Sequence, residues 1–160
     1  RTFKGCLYFG LMITPNGPKV IEYNCRFGDP ETQVVLPLLK TDLLTVMQAV
    51  TEERLSEINV EFSTDSAACV IMASNGYPSA YEKGFELDIP EKIWDKVFVA
   101  GAAIKDGTLV TNGGRVLGAT ATDDNLEGAI NKAYGLVSKI KFDNAYYRND
   151  IGQRALKAIK

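Results

Sequence analysis

A ten-residue segment, residues 22–31 (EYNCRFGDPE), carries the side chains best suited to chemistry. Glu22 and Asn24 lie two residues apart on a predicted strand, so their side chains project from the same face. Magnesium prefers hard oxygen ligands and usually takes only one or two from protein, while phosphate and water supply the rest. The pair of one carboxylate and one amide carbonyl therefore predicts a metal site that is shared with a phosphate.

Groups that bind anions follow the pair directly. If the strand alternation continues, Arg26 projects to the same side, where its guanidinium could clamp a phosphate or carboxylate. Asp29 is a good N-cap and Pro30 fits the first helical position, which predicts a helix N-terminus whose N–H groups point to the same region. A metal ligand pair, an anion clamp and a helix start within ten residues suit phosphoryl transfer.

A second interpretation fits the same residues. Glu22 and Asn24 could be the solvent face of an edge strand, with Arg26 in a weak surface ion pair. The residue types and their spacing alone leave both interpretations open.

The elements that must position this segment come from residues 5–58. Residues 5–14 are almost wholly apolar and predict a strand that is buried on both faces. A turn at 15–18 leads to a second strand at 19–25, and the two strands are expected to pair as a hairpin. A short helix is expected over 30–36, ended by Pro37. Another helix starts at Thr41-Asp42, with one apolar stripe: Leu43, Leu44, Met47 and Val50.

The polar stretch 51–65 predicts a boundary between two structural units. Beyond it, the sequence predicts strands, mostly antiparallel neighbours, and two helices, so the fold class is α+β. Asp123 or Asp124 is expected to cap the first of these helices. The expected strands are 67–73, 97–104, 108–111 and 116–122, and the expected helices are 123–140 and 151–159.

Residues 112–115 (NGGR) are either a backbone nest for an anion or a turn that needs positive φ.

Composition excludes several classes of function. The 160 residues include 18 Lys+Arg and 20 Asp+Glu, a near balance that argues against nucleic-acid binding through overall basic charge. No apolar run approaches the length of a membrane span, and three widely spaced cysteines indicate a reducing, cytoplasmic setting. The absence of histidine excludes Ser-His triads and His-ligated zinc within this sequence.

Several motifs resemble one family of the ATP-grasp enzymes, and the resemblance runs over nearly the whole sequence. EYNCRFGDPETQ followed by LPLLKTDLL is similar to the segment that closes the ATP-grasp core in the phosphoribosylamine–glycine ligases, also called glycinamide ribonucleotide synthetases. The wider ATP-grasp group shares only the ExNxR pattern, whereas the later blocks point to this family. Those blocks are YFGLM, MASNGYP, TNGGRVL and YRNDIG.

The resemblance implies roles for five residues. Glu22 and Asn24 match the Mg²⁺ or Mn²⁺ ligands for the ATP phosphates, and Arg26 matches the residue near the transferring phosphate. Gly28 and Asp29 fall on the adjacent turn that faces the substrate. The implied reaction joins glycine to 5-phosphoribosylamine through a glycyl phosphate, with ATP as co-substrate, in purine synthesis.

The resemblance also implies that this sequence is the carboxy-terminal fragment of a longer enzyme, inactive without its missing amino-terminal part. Residues 1–58 would complete the ATP-grasp domain and residues 59–160 would form the carboxy-terminal domain. Many ATP-grasp enzymes carry a further acidic metal ligand on the preceding strand, yet Leu7–Thr14 contains no carboxylate. Two alternative hypotheses for the function are another ATP-grasp ligase or carboxylase, and a non-catalytic interaction module.

Overall fold

The computed structural model describes residues 2–159, which divide into two compact units, the first ending at Ser63 and the second beginning at Thr64. All the strand pairs are antiparallel, and helices accompany them in both units. The predicted α+β class is therefore confirmed. Within residues 2–159, no helix combines the length and the apolar character needed to cross a membrane.

The first unit begins with the expected hairpin, formed by β1 (Tyr8–Thr14) and β2 (Gly17–Asn24). The chain reverses tightly between Thr14 and Gly17, which pair with each other, and Gly17 has a φ of +87° that glycine adopts without strain. Burial of β1 on both faces is wrong: Phe9 is 49% and Ile13 78% exposed. The hairpin is a two-stranded sheet among the described residues, so these side chains lack a covering layer.

Two helices complete the first unit. The four-residue helix α1 (Thr32–Val35) runs into a single 3₁₀ turn that contains Pro37. Helix α2 (Leu43–Thr51) begins as predicted, because the Asp42 side chain accepts a hydrogen bond of 2.8 Å from the Thr45 backbone N–H.

The second unit is built on a four-stranded sheet with the order β4-β7-β3-β8. Its central strands are β3 (Ser66–Ser74) and β7 (Arg115–Asp123), and its short edges are β4 (Val97–Val99) and β8 (Ala145–Tyr146). Helix α3 (Leu126–Val137) packs on β3 and β7. Their contact buries the apolar core of this unit, whose members include Val70, Met72, Val116, Leu117, Ala129, Ile130, Ala133 and Val137. A separate hairpin, β5 (Ala102–Lys105) and β6 (Thr108–Thr111), and helix α4 (Gln153–Ala158) complete the unit.

The single strand expected over 97–104 is two strands, because the chain changes partner at Gly101. Strand β4 pairs with β7, whereas β5 pairs with β6. The Gly101 N–H donates to the Arg115 carbonyl at 2.9 Å, and the Gly101 carbonyl accepts from the Asn112 N–H at 2.8 Å. A Cβ at Gly101 would collide with the Arg115 carbonyl oxygen, so this crossing of backbones requires glycine.

The expected caps of α3 are also wrong. Strand β7 continues through Asp123, so the helix starts later, and the Asn125 side chain accepts a hydrogen bond of 2.8 Å from the Gly128 N–H. Asp123 instead forms an ion pair with Lys132 at 2.6 Å. Hydrogen bonds with Asp124 and then with Lys132 lower the pKa of Asp123 to about 2.

Residues 112–115 form neither a nest nor a turn with positive φ. A nest alternates right- and left-handed conformations, yet neither Gly113 nor Gly114 has a positive φ. Close packing explains the glycines instead. A Cβ at Gly113 would lie 2.8 Å from the Gly101 Cα, and one at Gly114 would overlap the Tyr77 ring.

We predict opposite effects from two glycine-to-alanine substitutions in the second unit. Gly101→Ala places a methyl group against the backbone at Arg115 and should lower the free energy of unfolding by about 1–3 kcal/mol. Gly135→Ala meets open space inside α3 and should raise it by about 0.5–1 kcal/mol. Urea unfolding followed by the fluorescence of Trp94, the single tryptophan, measures both. Equal stability of the two variants would contradict the packing described at Gly101.

Candidate metal and phosphate site

Strand β2 brings Glu22 and Asn24 together as the alternation predicts. The Asn24 Nδ2 donates a hydrogen bond of 3.0 Å to Glu22 Oε1. On the partner strand, Gly10 lies opposite Glu22, and Tyr8 lies opposite Asn24. A Cβ at Gly10 would lie only 3.1 Å from the Glu22 Cγ, so glycine there leaves room for the carboxylate side chain.

A β-bulge sits immediately beside this pair. The register shifts between Gly10, which faces Glu22, and Leu11, which faces Val20, so Ile21 is the extra residue on β2. Bulges bend a strand and redirect the neighbouring side chains. The Glu22 carboxylate therefore leaves the hairpin at a position set by the bulge, and it is exposed to solvent.

The donor set fits a divalent cation that is shared with a phosphate. Within residues 2–159 no group of three or more His, Cys, Asp or Glu side chains could hold a metal ion. The pair offers the Glu22 carboxylate and the Asn24 Oδ1, since the Asn24 nitrogen already donates to Glu22. Two protein oxygens suit Mg²⁺, which obtains its other ligands from substrate phosphates and water.

The strand alternation that was expected to place Arg26 beside the pair ends before Arg26, because strand β2 ends at Asn24. The exposed guanidinium folds back along the chain, and its Nη1 donates a hydrogen bond of 2.7 Å to the Phe27 carbonyl. Arg26 is two residues from Asn24 in sequence, but it lies outside the strand, so strand geometry does not place its side chain on the face that carries Glu22 and Asn24.

The helix start expected at Asp29 is also wrong. Helix α1 begins at Thr32 with Glu31 at the N-cap position, and no side chain caps it. The Thr32 N–H donates to the Gly28 carbonyl at 3.0 Å, so the residues between them form a turn, and Asp29 accepts a hydrogen bond of 3.1 Å from Gln33 Nε2. A four-residue helix offers too short a dipole for the expected anion site. Asp29 remains exposed on this turn, and Gly28 is buried.

The structure shows a contact between Tyr8 and Glu31 that the sequence patterns do not predict. The Tyr8 hydroxyl donates a hydrogen bond of 3.0 Å to Glu31 Oε1. This hydrogen bond is the main cause that raises the pKa of Tyr8 above its usual value, and the charges of Glu31 and Glu22 add to it. The same Glu31 carboxylate occupies the space that a Cβ would take at the buried Gly28. The hairpin register places Tyr8 opposite Asn24. No sequence pattern predicts that Glu31, which follows the loop after β2, lies within hydrogen-bond distance of Tyr8.

Two surface cavities among the described residues of the second unit differ in character from the site on β2. One of about 430 Å³ includes Lys96, Lys132 and Lys139 in its lining. Two of these lysines already have carboxylate partners, since Lys96 pairs with Asp95 at 3.2 Å and Lys132 with Asp123. The other cavity, of about 300 Å³, is lined mainly by acidic residues and Lys141. Neither cavity brings together the oxygen ligands and anion-binding groups found on β2 and after it.

Comparison with protein families agrees with this layout. Residues 1–32 match the family described as phosphoribosylglycinamide synthetase, ATP-grasp (A) domain, so the hairpin that bears Glu22 and Asn24 falls in a segment of the ATP-grasp class. Residues 67–154, more than half of the chain, match phosphoribosylglycinamide synthetase, C domain. The chain belongs to the phosphoribosylglycinamide synthetase family.

Individual relatives give the same result. The phosphoribosylamine–glycine ligase of Caldanaerobacter subterraneus is 50% identical over 150 residues, which cover 93% of this chain and 36% of the relative. The human trifunctional purine biosynthetic protein adenosine-3 is 49% identical over 162 residues, or 99% of this chain and 16% of that protein. The crystal structure of phosphoribosylamine–glycine ligase from Thermotoga maritima superposes with a TM-score of 0.79 at 42% identity. That match covers 90% of this chain and 36% of the other, so the chain spans about a third of the length of these ligases.

Proposed function

We propose that this chain is the carboxy-terminal part of an ATP-dependent phosphoribosylamine–glycine ligase of purine biosynthesis. The observation that carries the proposal is the contact between Glu22 and Asn24 on a hairpin that matches the ATP-grasp domain of this family. In this proposal residues 1–58 complete the ATP-grasp domain and residues 59–160 form the carboxy-terminal domain. The two family matches, at 1–32 and 67–154, support that assignment. The missing amino-terminal part supplies the rest of the nucleotide site.

In the proposed enzyme Glu22 and Asn24 hold Mg²⁺ or Mn²⁺ against the phosphates of ATP. When bound, the ion neutralises the negative charge of the phosphate oxygens. Arg26 lies on the chain just after the pair and is exposed, so a modest change in its side chain would free its guanidinium from Phe27 to contact the transferring phosphate. Gly28 and Asp29 form the adjacent turn that faces the substrate.

The proposed chemistry has two steps. A carboxylate oxygen of glycine attacks the terminal phosphorus of ATP, which releases ADP and gives glycyl phosphate. The amine nitrogen of 5-phosphoribosylamine then attacks the carbonyl carbon, phosphate leaves and the nitrogen loses a proton, giving glycinamide ribonucleotide. Arg26 contributes a positive charge that does not depend on pH in the working range, because arginine stays protonated.

The cytoplasmic setting predicted from the cysteines belongs to the same proposal. The three thiols, Cys6, Cys25 and Cys69, form no disulfide in the structure.

Replacement of both metal ligands tests the proposed function directly. In the complete enzyme, Glu22→Ala with Asn24→Ala should lower the rate of ADP release with glycine and 5-phosphoribosylamine by on the order of a hundredfold or more. Glu82→Ala, which removes an exposed carboxylate from the second unit, is the matched control and should retain the wild-type rate. Unchanged turnover of the double variant would favour a non-catalytic role. Wild-type turnover with bicarbonate or another carboxylate instead of glycine would indicate a different ATP-grasp enzyme.

The substitution Arg26→Lys tests whether the proposed role of Arg26 requires the planar guanidinium or only its positive charge. Lysine keeps the charge but cannot donate two parallel hydrogen bonds to a phosphate. We expect kcat in the complete enzyme to fall by about tenfold or more, while KM for ATP changes little, since the contact forms mainly in the transition state. A wild-type kcat in the variant would remove Arg26 from the proposed machinery.

A further inference from the structure

The hydrogen bond between Tyr8 and Glu31 joins segments that are 23 residues apart in sequence. Tyr8 lies on β1 directly opposite Asn24, whereas Glu31 lies beyond the loop 25–30 that follows β2. The bond therefore connects the strand that faces the metal pair with the far end of the loop that carries Arg26 and Asp29. Both partners are half-buried, where a hydrogen bond competes less with water than on the open surface.

Other hydrogen bonds shape this loop locally. Thr32 donates to the Gly28 carbonyl through both its N–H and its hydroxyl, and Gln33 donates to Asp29. These bonds span four residues at most, so they fix the turn without attaching it to the hairpin. The Glu31 carboxylate has a second contact, because it fills the space beside the buried Gly28. Glu31 also lies inside the turn that the Thr32 N–H and the Gly28 carbonyl close, so a hydrogen bond to its side chain acts on the turn itself.

We propose that Tyr8 is a positioning residue, whose hydroxyl holds Glu31 and so fixes loop 25–30 relative to the metal pair on β2. This inference rests on the proposed function, since it assigns a role at the same site. Tyr8 contacts no reacting group in this account. Its effect reaches the chemistry through the placement of Arg26 and Asp29, and small displacements of positioned groups reduce rates strongly.

Amide hydrogen exchange of the complete enzyme without substrates tests the attachment independently of activity. Loss of one hydrogen bond in Tyr8→Phe should speed exchange in residues 26–33 by about fivefold, while the β1–β2 amides keep their protection. Tyr23→Phe is the matched control. Tyr23 lies on β2, is exposed and packs edge-on against Phe9, so loss of its hydroxyl should leave residues 26–33 unchanged.

Variants of the acceptor test the same bond from its other end. Glu31→Gln keeps an oxygen that accepts from Tyr8 and should preserve the protection of residues 26–33, whereas Glu31→Ala should lose it. Once Glu31→Ala has removed the acceptor, adding Tyr8→Phe should speed exchange no further. Additive effects of the two substitutions would overturn the proposed bond.

Steady-state kinetics then test the consequence for the site. In Tyr8→Phe, kcat should fall by about five- to tenfold with little change in KM for ATP, and Tyr23→Phe should match wild type. Faster exchange with unchanged kcat, or a lower kcat with unchanged exchange, would overturn the positioning role. A wild-type enzyme that makes no glycinamide ribonucleotide would instead refute the proposed function, and the exchange data would still decide whether Tyr8 holds the loop.

Discussion

The antiparallel pairing of two short strands is the constraint on which the proposed site depends. That pairing sets Gly10 against Glu22 and Tyr8 against Asn24, and the bulge at Ile21 directs the carboxylate beside the amide. Alternate residues of a strand project from the same face, and the pairing with β1 keeps this part of β2 extended, so the two ligands stay side by side. A hairpin can thus present two oxygens to a cation, although it offers too few ligands to hold the ion without phosphates.

The groups that follow β2 have a different kind of support. Arg26 and Asp29 lie on an irregular segment, whose position depends on single hydrogen bonds rather than on a ladder. Loops of this type carry binding groups in many proteins because a rigid element beside them sets their place. Here the rigid element is β1, and the Tyr8 hydroxyl provides the connection to Glu31. The site therefore combines a fixed metal pair with a loop whose geometry is easier to change.

The sequence was informative where a pattern depends on local periodicity. The turn at 15–18 predicted the hairpin, alternation predicted the shared face of Glu22 and Asn24, and the Asp42 cap predicted the start of α2. Failures occurred where neighbours in space decide the outcome. The strand over 97–104 breaks because Gly101 meets the backbone at Arg115, and Asn125 caps α3 because β7 extends through Asp123. No local pattern predicts the contact at Gly101, whereas Asn125 is itself a favoured N-cap residue and stands directly before the helix.

Two errors at the site have the same origin. The prediction for Arg26 assumed that β2 continues, and the prediction for Asp29 assumed that a helix starts at Pro30. Strand β2 ends at Asn24, before Arg26, and the turn closed by Thr32 and Gly28 delays the start of the helix beyond Asp29. The motif resemblance was less affected, because it depends on the residues present and not on the conformation that each adopts.

The location of the bound metal decides whether Glu22 and Asn24 are its ligands. Crystals of the complete enzyme with Mn²⁺ and a non-hydrolysable ATP analogue would show the ion by its anomalous scattering. We expect a peak within about 2.5 Å of a Glu22 carboxylate oxygen and of Asn24 Oδ1, with phosphate oxygens completing the shell. A fully occupied ion and triphosphate that lie away from both side chains would contradict it.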